Sequence, residues 1–292
     1  MLNLYIAFFL EHPAYLIAGC FLLGLIVGSF LNVVIYRLPV MMQREWHSEC
    51  SLLLNIESPT VSSEPFNLAF PPSRCPGCNS KIAAWQNIPV ISYLFLRGRC
   101  ANCKIAISKR YPIIEMVSGL LAVFTAWQMG FGWPLLATLI LLWALLAMTM
   151  IDVDHQLLPD QITLPLLWLG LLLNTGGMFV SLNDAIWGAA AGYLSLWSVY
   201  HVFKLLTGKE GMGFGDFKLL AALGAWMGWQ MLPVIILLSS LVGAVIGSLM
   251  LIAQRKGRGT PIPFGPYLAG AGVIAFFWGK LLIQNYLQFV GL

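Results

Sequence analysis

Long stretches lacking any Asp, Glu, Lys or Arg leave this chain little choice of fold. Residues 116–151 and 219–254 each run for 36 residues without one. A helix rises about 1.5 Å per residue and a bilayer core is about 30 Å thick, so each run is too long for a single crossing. Gly130-Phe-Gly-Trp-Pro134 interrupts the first run and the stretch from Gly228 to Pro233 interrupts the second, which predicts a helical hairpin in each. Residues 13–36, 161–183, 185–203 and a segment within 263–287 supply the other spans. The expectation is an all-α polytopic membrane protein with about eight transmembrane helices. Only 10% of the 292 residues are charged and 59% are hydrophobic. Soluble domains carry about a quarter charged residues, so disordered, collagen-like, coiled-coil and soluble globular classes are excluded.

Lys and Arg mark the cytoplasmic side of membrane proteins. Fifteen of the 16 fall in three alternate connections: nine between Arg37 and Arg110, then Lys204, Lys209 and Lys218, then Arg255, Lys256 and Arg258. Lys280 is left to snorkel from the final helix. With eight spans, both termini face away from the cytoplasm. The first run has no basic start and is long enough to remain as a span, so it reads as a retained helix rather than a cleaved signal peptide. The domains expected are a first transmembrane helix over 1–36, a cytoplasmic domain over 37–111 and a seven-helix membrane domain over 112–292. Glu57-Ser-Pro-Thr-Val-Ser-Ser-Glu-Pro65 reads as a flexible polar excursion. No internal repeat is visible. Glycine pairs four apart at Gly24/Gly28, Gly188/Gly192, Gly224/Gly228 and Gly243/Gly247 predict close helix crossings.

Within the cytoplasmic domain, Cys75-Pro-Gly-Cys78 and Cys100-Ala-Asn-Cys103 stand 21 residues apart. Two Cys-x-x-Cys pairs offer four thiolates to a tetrahedral Zn²⁺, and a structural metal would stabilise a domain whose core is thin. Two disulfides are the alternative, disfavoured in a reducing cytoplasm, and a redox pair lacks the thioredoxin-like βαβ context. Cys20 and Cys50 have no spaced partner and read as incidental thiols.

Acidic residues at membrane helices are costly and therefore functional candidates. Asp152 abuts the apolar end of the third span. Asp216 closes Gly213-Phe-Gly-Asp216 and opens the sixth, with a helix N-cap as its structural alternative. Asp160, after Pro159 and before an apolar helix, reads as an N-cap, and Asp154 reads as a solvated turn residue. Gly213 and Gly215 permit a backbone shape that side chains block, and they leave room for an extended substrate. Two membrane-edge aspartates on one face suggest an aspartic protease dyad. One carboxylate takes a proton from water while its protonated partner polarises the scissile carbonyl. There is no His-Glu-x-x-His, no Gly-x-Ser-Gly and no nucleotide-binding loop, and the four histidines are scattered.

The whole pattern resembles the bacterial type IV prepilin peptidases, a family of Gly-x-Gly-Asp membrane aspartic proteases that includes leader peptidase/N-methyltransferases. The resemblance rests on Gly28-Ser-Phe-Leu-Asn-Val-Val-Ile-Tyr-Arg-Leu-Pro39, the two dithiols, Ile151-Asp-Val-Asp-His-Gln-Leu-Leu-Pro-Asp160 and Gly211-Met-Gly-Phe-Gly-Asp-Phe-Lys-Leu219. It covers nearly the whole chain, and the segment from Glu45 to Phe70 is longer than in a minimal member. It implies Asp152 and Asp216 as the catalytic pair. It further implies cleavage of the basic leader of type IV prepilins and type II secretion pseudopilins at the cytoplasmic face of the bacterial inner membrane. Methylation of the new N-terminal residue, usually phenylalanine, with S-adenosylmethionine as methyl donor is implied as well. The expected partners are those substrates and the lipid bilayer, not nucleic acid. Asp154, Asp160 and Glu210 lie on the expected side to attract a cationic leader. A proton-coupled transporter is the alternative from another class; it predicts acids near the bilayer midplane and inverted repeats. A structural scaffold of a pilus or secretion machine is a third reading.

Overall fold

A computed structural model describes residues 8–55, 66–254 and 263–291. The polar excursion 57–65 and the basic residues Arg255, Lys256 and Arg258 lie outside these. Among the described residues the helices that build the fold are α1 (Pro13–Leu54), α2 (Ile91–Phe95), α3 (Arg110–Met129), α4 (Trp133–His155), α5 (Asp160–Thr175), α6 (Leu182–Thr207), α7 (Phe214–Met227), α8 (Leu232–Gln254) and α9 (Gly265–Val290). Among the described residues there is no strand, only isolated bridges. The chain is an all-α polytopic membrane protein. Among the described residues, five stretches are long and apolar enough to cross a bilayer: Pro13–Leu54, Arg110–Met129, Trp133–His155, Trp229–Leu249 and Gly265–Val290.

About eight spans are expected; among the described residues α5, α6 and α7 do not meet that length and apolarity on their own. At 16 and 14 residues, α5 and α7 rise only about 24 and 21 Å, short of a hydrocarbon core. The two expected hairpins break where the glycines stand: Gly130 and Gly228 have φ of 66° and 81°, which favours a residue without Cβ. By contrast, α1 does not stop at Tyr36. It continues through Pro39 to Leu54 and is closed by Asn55 in the left-handed region. Charge at Arg37 and Arg44 ends the apolar surface, not the helix.

The chain forms two compact units, Met1–Trp143 and Ala144–Leu292. In the first, α1 and α3 cross at small residues. A Cβ on Gly24 would lie 2.7 Å from Gly119 Cα, and one on Gly28 would lie 2.7 Å from Glu115 Cα. Ser118 Oγ donates to Gly24 O at 2.6 Å across the same crossing, and Leu16, Cys20, Ala122, Ala126, Leu135 and Leu139 form the apolar cluster beyond it. Polar groups at the other end of the crossing are satisfied internally. Asn32 Nδ2 donates to Tyr111 O at 3.2 Å. Buried Arg37 donates to Asn67 O and Pro71 O at 2.9 and 2.6 Å, and Glu115 accepts from Val90 N–H at 2.8 Å.

In the second unit α7 is the hub. Every residue from Leu219 to Met227 is buried, as expected for a helix that is hydrophobic all round. Gly188 and Gly224 meet backbone to backbone, and a Cβ on Gly192 would lie 2.7 Å from Leu220 O. Trp226 Nε1 donates to Leu166 O at 2.8 Å and Asn174 Nδ2 to Ala225 O at 2.9 Å, which ties α5 to α7. A short helix packed on all sides has no lipid to span, and that explains its length.

Candidate active site

Asp152 and Asp216 both belong to the second unit, and both are buried, with 5% and 7% of their surface exposed. Asp152 is three residues from the end of α4 and Asp216 is the third residue of α7. The two are near enough for charge on Asp152 to act on Asp216. Asp216 is not the cap of α7, because Gly213 holds that position and no side-chain cap bond is made. Neither acid sits mid-helix, as a relay through a bilayer would require.

A third participant escapes the sequence reading. Gly265, the first residue of α9, donates its backbone N–H to Asp152 Oδ2 at 2.9 Å. Helix N-termini carry unpaired amides and a positive dipole end, so this one favours an anion at Asp152. A Cβ there would lie 2.7 Å from Oδ2, so any other residue would push the Asp152 carboxylate aside. The only signal in the sequence is a Phe-Gly-Pro step before an apolar run, which marks a helix start but says nothing of what the amide faces.

The glycines before Asp216 serve space rather than backbone shape. Gly213 has φ −82° and ψ 150°, open to any residue, and a Cβ on it would sit 3.8 Å from Asp216 Oδ2 in ordinary contact. Gly215 is the constrained one: its Cβ would fall 2.7 Å from Leu158 Cβ. Asp154 is exposed on the last turn of α4. Asp160 is not the N-cap of α5. Pro159 occupies that position and Asp160 starts the helix, ion-paired with Lys218 at 2.7 Å. Glu210 faces Lys204 at 2.8 Å, and that ammonium holds its carboxyl below the usual range. A cationic leader would compete with these lysines for both acids.

In the first unit, the Sγ atoms of Cys75, Cys78, Cys100 and Cys103 all lie within 4.8 Å of one another, with Cys75 and Cys103 at 3.7 Å. Four thiolates about 2.3 Å from a zinc ion stand about 3.8 Å apart at a tetrahedron's edges, so the set fits such an ion and the cluster can hold a metal. All six cysteines are free, so neither disulfide is formed. Ser80 Oγ, 2.9 Å from Cys78 Sγ, pulls that thiol's pKa down to about 6, while burial and the neighbouring thiols push Cys103 up to about 11. The two knuckles are one motif used twice. Cys75 N–H donates to Ser80 O and Cys100 N–H to Ile105 O, and the bridges Arg74–Lys81 and Arg99–Ala106 close the two turns alike. A short Arg-Cys-x-x-Cys repeat ending at Ile82 and Ile107 underlies this, a repeat too brief to register against the whole chain.

A family model for the bacterial peptidase A24 N-terminal domain matches residues 22–129, and one for the type IV leader peptidase family matches 139–248. The chain is 58% identical over 287 residues to the prepilin leader peptidase/N-methyltransferase of Stutzerimonas stutzeri, covering 98% of this chain and 99% of that one. The protein of the same name from Pseudomonas aeruginosa is 57% identical, covering 96% and 97%. The one from Legionella pneumophila is 47% identical, covering 94% and 95%. No solved structure matches.

Proposed function

The chain belongs to the type IV leader peptidase family, and we propose that it cleaves the leaders of type IV prepilins and type II secretion pseudopilins by an aspartic mechanism. It is a peptidase with N-methyltransferase activity. The site faces the cytoplasm at the bacterial inner membrane, with both termini periplasmic. The observation that carries the aspartic reading is the burial of Asp152 and Asp216 together on two helix ends, with Gly265 N–H on Asp152.

In this reading Asp152 is the ionised partner, since its anion already has a protein donor and a helix N-terminus behind it. It takes a proton from water as the water oxygen attacks the scissile carbonyl carbon. Asp216 carries the shared proton and donates to the carbonyl oxygen. The C–N bond then breaks as the leaving amine takes up the proton held by Asp152, while one hydroxyl of the tetrahedral gem-diol returns its proton to Asp216 and becomes the new carbonyl. The apolar helix of a prepilin lies in the bilayer with its basic leader outside, which sets its scissile bond at the depth of a helix end. Zinc, held by Cys75, Cys78, Cys100 and Cys103, is structural. S-adenosylmethionine supplies the methyl group when bound.

Incubating the purified chain in lipid with a prepilin should give loss of the leader mass, then a gain of one methyl group only when S-adenosylmethionine is present. An inserted, folded chain that leaves the prepilin intact rejects the reading. Gly265→Ala should slow leader removal about 100-fold, because its methyl group forces the Asp152 carboxylate aside and displacements of about 1 Å carry costs of that order. Rates under single-turnover conditions at equal membrane content check this.

A further inference from the structure

We propose that the cysteine module docks on the bilayer: α2 lies in the headgroup boundary of the cytoplasmic leaflet, and the cations around it recognise anionic lipid. The inference rests on α3 crossing the membrane and not on the proteolytic reading. At 20 residues, α3 rises about 30 Å, so it just fills a hydrocarbon core with Arg110 at its edge. Glu115 is five residues further in, about 7.5 Å along the axis. Its carboxylate accepts the N–H of Val90, the residue immediately before α2. That bond pins α2 at the level of the boundary layer, not out in solvent. Val90 holds a φ of 59°, rare for a β-branched residue, at the point where this contact is made.

What α2 presents at that level suits a lipid surface. Ile91, Leu94 and Phe95 are 62%, 68% and 81% exposed, within a five-residue helix that has no buried residue at all. Exposed Arg97 and Arg99 follow directly. From residue 65 to residue 114 the chain contains seven Lys and Arg and no Asp or Glu, so the cations outnumber the net charge of −2 that four thiolates around one Zn²⁺ carry, and the module stays attracted to anionic headgroups. Apolar side chains beside an excess of cations are the composition of interfacial anchors.

The test uses the full chain in vesicles, with the photo-crosslinker benzoylphenylalanine in place of Phe95 and, separately, of Ile91. Trp46 supplies the control site. It is an exposed aromatic 14 residues beyond Asn32 on α1. Asn32 bonds to Tyr111 O, which puts Trp46 about 21 Å outside the boundary. Lipid adducts at 95 and 91 should exceed those at 46 by at least about tenfold. In vesicles about one-third phosphatidylglycerol they should exceed those in phosphatidylcholine alone by about threefold, a preference that Arg97→Glu with Arg99→Glu removes. Adduct yields at 95 and 91 no higher than at 46 overturn the proposal, as does a main product at these sites that joins two copies of the chain. Equal yields in the two lipids overturn the recognition of anionic headgroups. Leader cleavage is not the readout, so failure here is distinct from failure of the proteolytic assignment.

Discussion

Asp152→Asn and Asp216→Asn should each reduce leader removal by at least about 10³-fold while leaving the protein inserted. Each replacement keeps the size and planarity of the side chain, so the burial around it is preserved. At 152 the amide oxygen still accepts the Gly265 N–H, which keeps the bond that joins α4 to the start of α9. What disappears is the ability to take up and return a proton, and general acid–base groups contribute about 10²–10⁴-fold each. The effects should not add: with one acid gone the shared proton has no second site, and the double variant should be no worse than either single one. Prepilin mass analysis in membranes carrying equal amounts of each variant reads the result. Asp160→Asn supplies the contrast, since it loses only a partly exposed ion pair to Lys218; such pairs are worth about 0–1 kcal/mol, and processing should change by less than about fivefold. Near-normal cleavage by either Asp152→Asn or Asp216→Asn would end the aspartic assignment. Methylation of a supplied mature N-terminus should persist in both, because removing a proton carrier for hydrolysis removes no methyl acceptor.

How far the sequence could be read depends on which physical signal each feature leaves. Charge-free runs report what lipid or core will accept, so the helical class and the breaks at Gly130 and Gly228 were legible directly. The same signal does not mark the end of α1: Arg37 and Arg44 are helical residues whose guanidinium groups reach Asn67 O, Pro71 O and the Phe66 ring. Hydropathy cannot tell a helix leaving the membrane from a helix ending. It also could not tell α7, wrapped by protein, from a lipid-facing span. Asp152 and Asp216 stood out because carboxylates are costly next to apolar helices. Gly265 did not, because its contribution is a backbone amide, which every residue but proline possesses. Asp160 looked like a cap from its neighbours, and only the position of Lys218 on α7 reveals the ion pair that it makes.

Replacing Cys75 and Cys78 together by Ser should remove the metal, from about one per chain to none, and unfold the module between α1 and α3. The reason lies in what that module lacks. From residue 66 to residue 109 the only buried residue is Cys75, so apolar burial contributes almost nothing to its fold. Two knuckles and one short helix then depend on the four thiolates, and structural zinc sites bind with about 10–16 kcal/mol at neutral pH, far more than any contact visible here. Loss of the metal should expose the backbone near Cys100 and Cys103 to protease at rates at least about 100-fold above the parent. Helix content should change little, since the long helices lie outside the module. Leader removal should fall less than the aspartate variants make it fall, because Asp152, Asp216 and Gly265 all belong to the unit Ala144–Leu292, which contains no cysteine. Ser at Cys20 and Cys50 should leave the metal content unchanged, which makes thiol count alone an insufficient explanation. A metal-free parent chain whose module resists protease would show that something other than the thiolates holds it, and the first candidate would be the lipid surface beside α2.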